Sequence, residues 1–297
     1  MPRDRARRLA RVERRALLLA ERRKRRREAK ARRKQRALQG EEPLQRPRTL
    51  ESTRVYRPEL DWEQEPPFGE EAIRAVLRGE RRPRVLLTTS VQPTGRQIYD
   101  LIGDLLFLFP GSVYRERDQR TLEELCKAGI DQGFTDLWVI VQGKGLSLRY
   151  LQHVRLPDGP VYLYRLSSVV CSESIPHRGT PTPLPVEVVT CNFQTNLGRH
   201  IERSLSALFP HEGTPQSRQV VLVRNQRDYI FLRFYRYIFE ASRDPEAAER
   251  VRVRTQELGP RFTLKLLSVR YPIDRSRVAF SWRRSRVVNT GKRVFAL

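Results

Sequence analysis

The chain has 297 residues and a formal net charge of +24, with 58 Lys and Arg against 34 Asp and Glu. Such a charge cannot be neutralised inside a protein core, so it requires a polyanionic partner. The three cysteines form no Cys-x-x-Cys pair, which argues against a disulfide-stabilised secreted domain, and no apolar run approaches the roughly 20 residues that span a bilayer. We therefore expect a soluble intracellular protein with no membrane partner.

The first predicted element is a basic arm, residues 1–39. Between Arg3 and Arg36 it holds eighteen basic and four acidic residues, a net charge of +14. Good helix formers dominate it, but like charges one turn apart favour disorder until a partner binds. The arm indicates RNA binding and nuclear localisation, with a mitochondrial presequence as the alternative. Its densest cluster is Arg22, Arg23, Lys24, Arg25, Arg26 and Arg27.

Residues 40–82 are predicted to form an irregular linker, because prolines stand at positions 43, 47, 58, 66 and 67. The folded domain is then predicted at 83–297. The C-terminal residues 261–297 carry a net charge of +9, which leaves +1 for residues 37–260. The sequence thus predicts a near-neutral body with a basic arm at one end and a basic edge at the other.

The body repeats one pattern about a hundred residues apart. Each copy has a buried strand, a Gly-Arg pair, an amphipathic helix, a Phe-Pro pair and a further strand. The segments are 85–90, 95–96, 98–106, 109–110 and 112–115, and then 186–191, 198–199, 201–208, 209–210 and 219–224. This repeat predicts an α/β fold of two equivalent halves, about 83–180 and 181–297, with mixed sheets.

The remaining elements follow from hydrophobic periodicity. The first half is completed by a helix at 121–132 and strands at 136–142, 146–154 and 161–170. The second half is predicted to end in strands at 229–239, 261–269, 278–283 and 293–297.

One predicted strand interleaves arginines with aromatic residues, which is typical of proteins that hold unpaired RNA, since rings stack on bases and guanidiniums contact phosphates. The alternative is that the aromatic rings pack under a neighbouring helix, which makes the arginines the stronger candidates. The candidate RNA-binding residues in this strand are Arg227, Arg233, Arg236, Tyr235 and Tyr237.

Further basic residues follow downstream. Strict alternation after residue 260 places Arg261, Thr263 and Lys265 on one strand face. A solvated strand face has the same pattern, but Arg283 and Arg284 follow with no acid nearby. A surface of one sign exceeds what solubility requires, so we predict that Arg261, Lys265, Arg283 and Arg284 contact RNA.

Arg96 and Arg199 are weaker candidates. Each follows a glycine where a loop meets a helix, and free backbone N–H groups at a helix N-terminus bind anions. The alternative is that the glycines serve turn geometry only.

No catalytic signature is evident. Neither a Gly-x-x-x-x-Gly-Lys-Ser/Thr loop nor a Gly-x-Gly-x-x-Gly motif occurs. His153, His177, His200 and His211 are scattered, without zinc-module spacing to any cysteine. We predict no enzyme activity, no cofactor and no metal.

Several motifs, in this order, resemble the Brix-domain family of ribosome-biogenesis factors. The matching segments are Leu87-Thr-Thr-Ser90 with Gly95-Arg96, Leu156-Pro-Asp-Gly-Pro160, Phe209-Pro210, Asn225-Gln-Arg-Asp-Tyr-Ile230 and Glu257-Leu-Gly-Pro-Arg-Phe262. The resemblance extends from about Pro83 to the C-terminus. It implies two halves, each similar to an anticodon-binding α/β domain, that bind precursor ribosomal RNA in the nucleolus without catalysis. It also implies a dedicated protein partner within a pre-ribosomal particle.

Within the family, residues 49–56, 225–239 and 256–265 are most similar to a member required for large-subunit (60S) maturation and rRNA processing. The small-subunit member that works with the U3 particle is the alternative. An RNA-processing enzyme or a protein-binding scaffold, in which the aromatic strand docks a partner, are alternatives of other classes.

Overall fold

The computed structural model describes residues 18–32, 35–36, 39, 48–55, 69–143, 145, 147–211, 217–241, 251–271, 277–281 and 295–297. Residues 1–53 form one unit and residues 54–297 another. In the first unit, helix α1 covers residues 18–32 and all its side chains are exposed. Within the described ranges, no helix is both long and apolar enough to cross a membrane.

The second unit holds the remaining helices and the strands. Its helices are α2 (Glu70–Leu77), α3 (Arg96–Leu108), α4 (Leu122–Asp131) and α5 (Asn196–Ser206). The strands of the first half are β1 (Val85–Thr89), β2 (Val113–Tyr114), β3 (Asp136–Gln142), β4 (Leu148–Arg155) and β5 (Val161–Val170). Those of the second half are β6 (Glu187–Cys191), β7 (Gln219–Gln226), β8 (Tyr229–Ala241), β9 (Val251–Tyr271) and β10 (Arg277–Ser281).

The strands form one mixed sheet in the order β2-β1-β3-β4-β5-β9-β8-β7-β6, with β10 paired to β9. β1 is parallel to β2 and β3, and β6 is parallel to β7. The other pairs are antiparallel, including the β5–β9 pair at which the two halves meet. The predicted α/β class with mixed pairing is confirmed, and a single sheet joins the two halves.

The predicted repeat is present, but one strand equivalence is wrong. The sequence repeat matches the strand at 219–224 with that at 112–115. In the structure β7 pairs in parallel with β6 as β3 does with β1, whereas β2 is a two-residue edge strand. The counterpart of β7 is therefore β3. The two Phe-Pro motifs meet in the core, where the Phe109 and Phe209 ring centroids are 5.2 Å apart.

Helices cover the two faces of the sheet unequally. On one face, α3 and α5 pack in a single hydrophobic core that includes Leu101, Ile201 and Phe234 and so spans both halves. On the other face, α4 covers only the first half, through Leu125 and Leu137. α4 starts at a capping box, in which Thr121 Oγ1 accepts the Glu124 N–H and Glu124 accepts the Thr121 N–H.

Part of the predicted linker is helical. Residues 70–77 form α2, whose Ile73 and Val76 are fully buried against Ala207 after α5. The prolines predict an irregular segment, but the last of them is Pro67, and the sequence beyond it has helix formers with apolar residues three apart. The boundary between linker and domain near residue 83 stays a prediction.

Two strand predictions need correction. Residues 295–297 lie within a predicted strand but are not in a strand in the structure. β9 begins at Val251, ten residues before the predicted start at Arg261, because it pairs with the distal half of β8. The pairing extends from Ala241 with Val251 to Tyr235 with Glu257.

A polar group lies buried in the first half. Asp136 Oδ1 accepts hydrogen bonds from His153 Nε2 at 2.7 Å and from Arg155 Nη1 at 3.0 Å. All three side chains are fully buried. Gly159 lies against Arg155, since a Cβ there would come within 2.3 Å of the Arg155 Cβ. The Leu156–Pro160 motif thus covers a buried ion pair.

A second buried group joins three elements. His200 of α5 accepts the Tyr162 hydroxyl hydrogen bond at Nε2, 2.7 Å away, and its Nδ1 donates to Glu70 of α2 at 3.1 Å. Glu70 also pairs with Arg203 at 2.8 Å. These contacts connect α2, α5 and β5, and so tie the segment before the predicted domain to both halves.

The buried group around Asp136 predicts that the free energy of unfolding depends on pH. Burial lowers the pKa of His153, outweighing the opposing hydrogen bond to Asp136. The unfolded chain, where a histidine pKa is about 6.5, therefore binds this proton more readily than the folded protein. Stability is fully present above about pH 6.5 and falls as the pH is lowered below that value.

Urea unfolding checks this expectation. The urea concentration at the unfolding midpoint should decrease when the pH is lowered from about 7.5 to about 5.5. The variant His153→Gln, although less stable overall, should show a smaller decrease. An unchanged pH dependence in the variant would assign the effect to another histidine.

Candidate nucleic-acid interface

One face of the second half of the sheet is not covered by helices. α3 and α5 pack on the opposite face, and α4 reaches only the first half. Across β9, β8 and β7, no helix in the described part of the chain packs on this side, and on β5 only Val161 belongs to the α4 cluster. Which side chains lie on this face is therefore set by the alternation of residues along each strand.

β8 shows the alternation most clearly. Ile230, Leu232 and Phe234 are at most 1% exposed and lie in the core. Phe231 and Arg233 project to the uncovered side, where both are half-buried. The Arg233 guanidinium lies 5.8 Å from the centroid of the Phe231 ring. An aromatic ring and a cation are thus neighbours on one strand.

The neighbouring strands add cations in register. On β9, Arg261 pairs with Arg233, and on β7, Arg224 pairs with Phe231. On β5, Arg165 pairs with Lys265 of β9. Directly paired side chains are about 5 Å apart and successive rows about 7 Å apart. We call this surface the open face; its residues are Arg165, Arg224, Phe231, Arg233, Arg261 and Lys265.

The open face is electropositive. Among its cations, Arg261 pairs with Glu257 at 3.3 Å, and Lys265 Nζ lies 4.8 Å from the centroid of the Tyr229 ring. Arg165, Arg224 and Arg233 have no described carboxylate within ion-pair distance. Cations beside partly exposed rings suit contacts to phosphates and stacking on bases.

The structure separates the residues predicted on β8. Arg236 shares the core side with Phe234, and its Nη2 donates to the Thr180 carbonyl oxygen at 2.6 Å. It therefore lies on the opposite face of the strand from Arg233, and the two do not form one patch. Arg227 is exposed in the β7–β8 turn, where it has a φ of 56°.

The two predicted tyrosines lie beyond Arg233 on the same side. Tyr235 and Tyr237 are half-buried. The Tyr237 hydroxyl donates to Glu187, and this bond, with burial, raises the pKa of Tyr237. Its ring contacts Phe239 edge-on, with centroids 5.3 Å apart. Neither ring belongs to the core, so the alternative of packing under a helix does not describe them.

The turn that carries Arg227 is fixed by Asp228. Asp228 Oδ1 accepts the backbone N–H groups of Ala296 and Leu297 at 2.8 and 3.0 Å. Arg54 also contacts this segment, because its Nη2 donates to the Phe295 carbonyl oxygen at 3.3 Å. These bonds hold the β7–β8 turn, and with it one end of the open face.

The two Gly-Arg pairs lie outside the open face. Arg96 is the first residue of α3 and lies 3.4 Å from Asp100 and 3.6 Å from Glu173, so carboxylates already face it. Arg199 is exposed, three residues into α5.

At the start of α5, the Gly198 N–H is not free to bind an anion. Thr195 Oγ1 accepts that N–H at 2.9 Å, and the backbone of Leu297 lies against Gly198. The start of α5 is therefore already occupied by the chain itself.

The basic arm and the C-terminal arginines stay predictions. Arg22, Arg23, Lys24, Arg25, Arg26 and Arg27 are exposed on α1, where Arg25 pairs with Glu21 at 2.8 Å. Arg283 and Arg284 lie outside the described residues.

Two cations of the open face were not predicted. Arg165 lies in β5 between core residues Tyr164 and Leu166, and Arg224 lies in β7 after Val223. Strand alternation alone places each of them on the side away from the core. Their proximity to Arg233 depends on the pairing of distant strands, which local sequence does not show.

Comparison with known proteins finds a consistent set of relatives. The Brix domain model matches residues 92–268. Ribosome production factor 1 of Danio rerio is 37% identical over 235 residues, covering 76% of this chain and 67% of the relative. The Mus musculus protein of that name is 36% identical over 262 residues, covering 84% and 71%. The Saccharomyces cerevisiae protein of that name is 33% identical over 219 residues, covering 73% and 71%.

Proposed function

The chain belongs to the Brix-domain family, and from that premise we propose that it is a ribosome-biogenesis factor that binds precursor ribosomal RNA. The family predicted from the sequence motifs is confirmed, and the relatives that share most of the chain are named ribosome production factors. The proposal adds the bound molecule and the surface that binds it.

The open face is the observation that carries the proposal. It presents five cations around the partly exposed Phe231 ring, on a side of the sheet that helices leave uncovered. The cations contact phosphates and the ring stacks on a base in an RNA loop, while the arm adds contacts that do not depend on sequence. Arg227 and the tyrosines Tyr235 and Tyr237 extend this surface at its two ends.

The finer parts of the proposal concern the setting. The protein acts on the large ribosomal subunit, in the nucleolus, within a pre-ribosomal particle that contains a dedicated protein partner. The name of the relatives supports a role in ribosome production, and the basic cluster in α1, a composition typical of nuclear or nucleic-acid-binding segments, supports a nuclear location.

We propose that the role is binding without catalysis. The open face supplies cations and aromatic rings, which hold and orient RNA. Glu257, the carboxylate next to this surface, is engaged with Arg261 at 3.3 Å. Such a surface stabilises a folded RNA segment while other factors act on it.

Depletion in cells tests the subunit assignment. We expect precursors of the large-subunit rRNAs to accumulate and mature large-subunit rRNA to fall, with small-subunit rRNA maintained. The measurement is pre-rRNA profiling by hybridisation, with re-expression of the wild-type chain as the control. Accumulation of small-subunit precursors instead would favour the small-subunit alternative.

A further inference from the structure

A groove on the opposite side of the sheet from the open face has no role in the proposed RNA binding. It has a volume of about 450 Å³ and lies beside α3. Its walls come from α3, the segment after β5 and the bulge of β9 at 258–260. The lining includes Tyr99, Gly103, Phe107, Ser172, Thr180 and Gly259.

One stripe of the α3 wall is apolar and exposed, and Asp100 and Asp104 lie beside it on the same helix. Tyr99, Gly103 and Phe107 are spaced four residues apart, so they lie on one helix face. Phe107 is 69% exposed, the highest value for a large hydrophobic side chain among the described residues, and Tyr99 is 45% exposed. Two aromatic rings thus stand in solvent on either side of a glycine.

Neither packing within the chain nor backbone conformation requires a glycine at position 103. A Cβ built there would meet no atom within 4 Å, and the residue has ordinary helical backbone. Glycine inside a helix lowers stability relative to alanine, so the position gives up stability without a packing gain within the chain. Its effect is a bare helix surface between Tyr99 and Phe107, which allows another chain to approach closely.

The groove is acidic, although the chain as a whole carries +24. Asp100, Asp104 and Glu173 line it together with a single guanidinium, that of Arg178. Asp104 is held in place, since Ser172 donates its N–H to Oδ2 at 2.7 Å and its hydroxyl to Oδ1 at 2.5 Å. Carboxylates repel a phosphate backbone and attract a Lys or Arg side chain.

Two of these carboxylates, those of Asp100 and Glu173, are accessible to a partner. Glu173 is 68% exposed, and its contact to Arg96, itself 82% exposed, is 3.6 Å long. An incoming cation can therefore share Asp100 and Glu173 with Arg96.

We propose that this groove binds a segment of a partner protein that lays an apolar side chain over Gly103 and places a Lys or Arg beside Asp100 and Glu173. The apolar side chain packs between Tyr99 and Phe107, and the charge fixes the direction of the segment. The site is independent of RNA binding on the open face.

Photo-crosslinking in the native particle identifies the occupant. Benzoylphenylalanine replaces Phe107 in the full-length protein, and the same residue at the exposed Ile130 of α4 is the matched control. We expect crosslinks at position 107 to map to one segment of one protein. In that segment a basic residue should lie within about four positions of an apolar residue, a distance of about one helical turn. Crosslinks to RNA, to no such segment, or no more than at 130 would overturn the proposal.

A synthetic peptide of the mapped segment then tests the contact at Gly103. Gly103→Leu should weaken its binding at least about tenfold by filling the floor of the groove. Lys127→Leu, an exposed substitution on α4, should leave the affinity unchanged. Gly103→Ala should raise Tm by about 2 °C, which shows that the position is not needed for folding.

The same variants separate this proposal from RNA binding. Gly103→Leu should keep wild-type RNA affinity. If the wild type and Gly103→Leu bind the peptide with equal affinity, the proposal that the groove binds this segment is contradicted, whatever the RNA affinity.

Discussion

Replacing Asp136 with alanine is expected to cost about 3–5 kcal/mol of the free energy of unfolding, because the Arg155 charge would remain buried without its partner. Asp136 and Arg155 are fully buried and joined at 3.0 Å. The carboxylate is ionised: burial alone would raise the pKa of Asp136, but the Arg155 charge and hydrogen bonds from His153 and Thr135 outweigh burial and lower it.

The size of the effect is large for one substitution. Domains are typically stable by about 5–15 kcal/mol, so the loss approaches the whole margin. Removing Asp136 also removes the nearer of two acceptors of the buried Thr135 hydroxyl, at 2.7 Å, and leaves the Arg84 carbonyl oxygen at 3.1 Å. Chemical denaturation of the wild type and variant, or soluble yield if the variant fails to fold, measures the outcome.

A second variant keeps the prediction testable. Asp136→Ala combined with Arg155→Met removes both charges and should be less destabilised than the two single changes predict, by about 0.5–3 kcal/mol of coupling. Additive losses would mean that the two groups are energetically independent. In that case the contact at 3.0 Å would not be the source of the stability.

Local periodicity predicted several elements to the residue. β3 at Asp136–Gln142 and β5 at Val161–Val170 have the predicted bounds: β3 has an apolar interior between Asp136 and Gln142, and β5 begins with four hydrophobic residues after Pro160. α4 begins after Thr121, where the capping box marks the start. These features depend on neighbours in the chain, which the sequence displays directly.

Features made by distant pairing could not be predicted in this way. The open face exists because β5, β9, β8 and β7 lie side by side, and residues 165, 224, 233 and 261 come from four strands. The buried group at Asp136 likewise combines residues of β3 and β4. The spacing of the histidines in the sequence likewise does not indicate that His153 contacts the buried Asp136–Arg155 pair.

The separation of Arg236 from Arg233 follows from the sequence alone. An odd separation on a strand puts two residues on opposite faces. The parity of Phe234 and Arg236 was visible in the sequence. In the structure Arg236 accordingly lies on the core side of β8, where it donates to the Thr180 carbonyl oxygen.

Replacing Arg165, Arg224 and Arg233 together with glutamine is expected to weaken RNA binding by roughly 10–100-fold at about 0.1 M salt, through the loss of about three phosphate contacts. These arginines come from three strands of the open face and have no ion pair with a described carboxylate, so their loss removes cations without freeing a buried acid. Each side chain is at least partly exposed. Thermal stability should therefore stay close to that of the wild type.

The salt dependence distinguishes phosphate contacts from a change in shape. For a single-stranded RNA of about 20 nucleotides, each lost phosphate contact reduces the log–log salt slope by about 0.7. The triple variant should therefore show a slope smaller by about 2 than the wild type. A weaker affinity with an unchanged slope would indicate that the arginines act by folding or packing.

Matched controls separate the open face from charge in general. Arg81, Arg115 and Arg120 are exposed at the other half of the body, and their joint replacement removes the same charge. We expect that control, and Arg236→Gln on the core side of β8, to stay within about threefold of wild type, since general attraction is screened over roughly 10 Å at 0.1 M salt. If the control triple weakens binding as much, the open face is not the RNA site, and β8 would then be a surface for a protein partner.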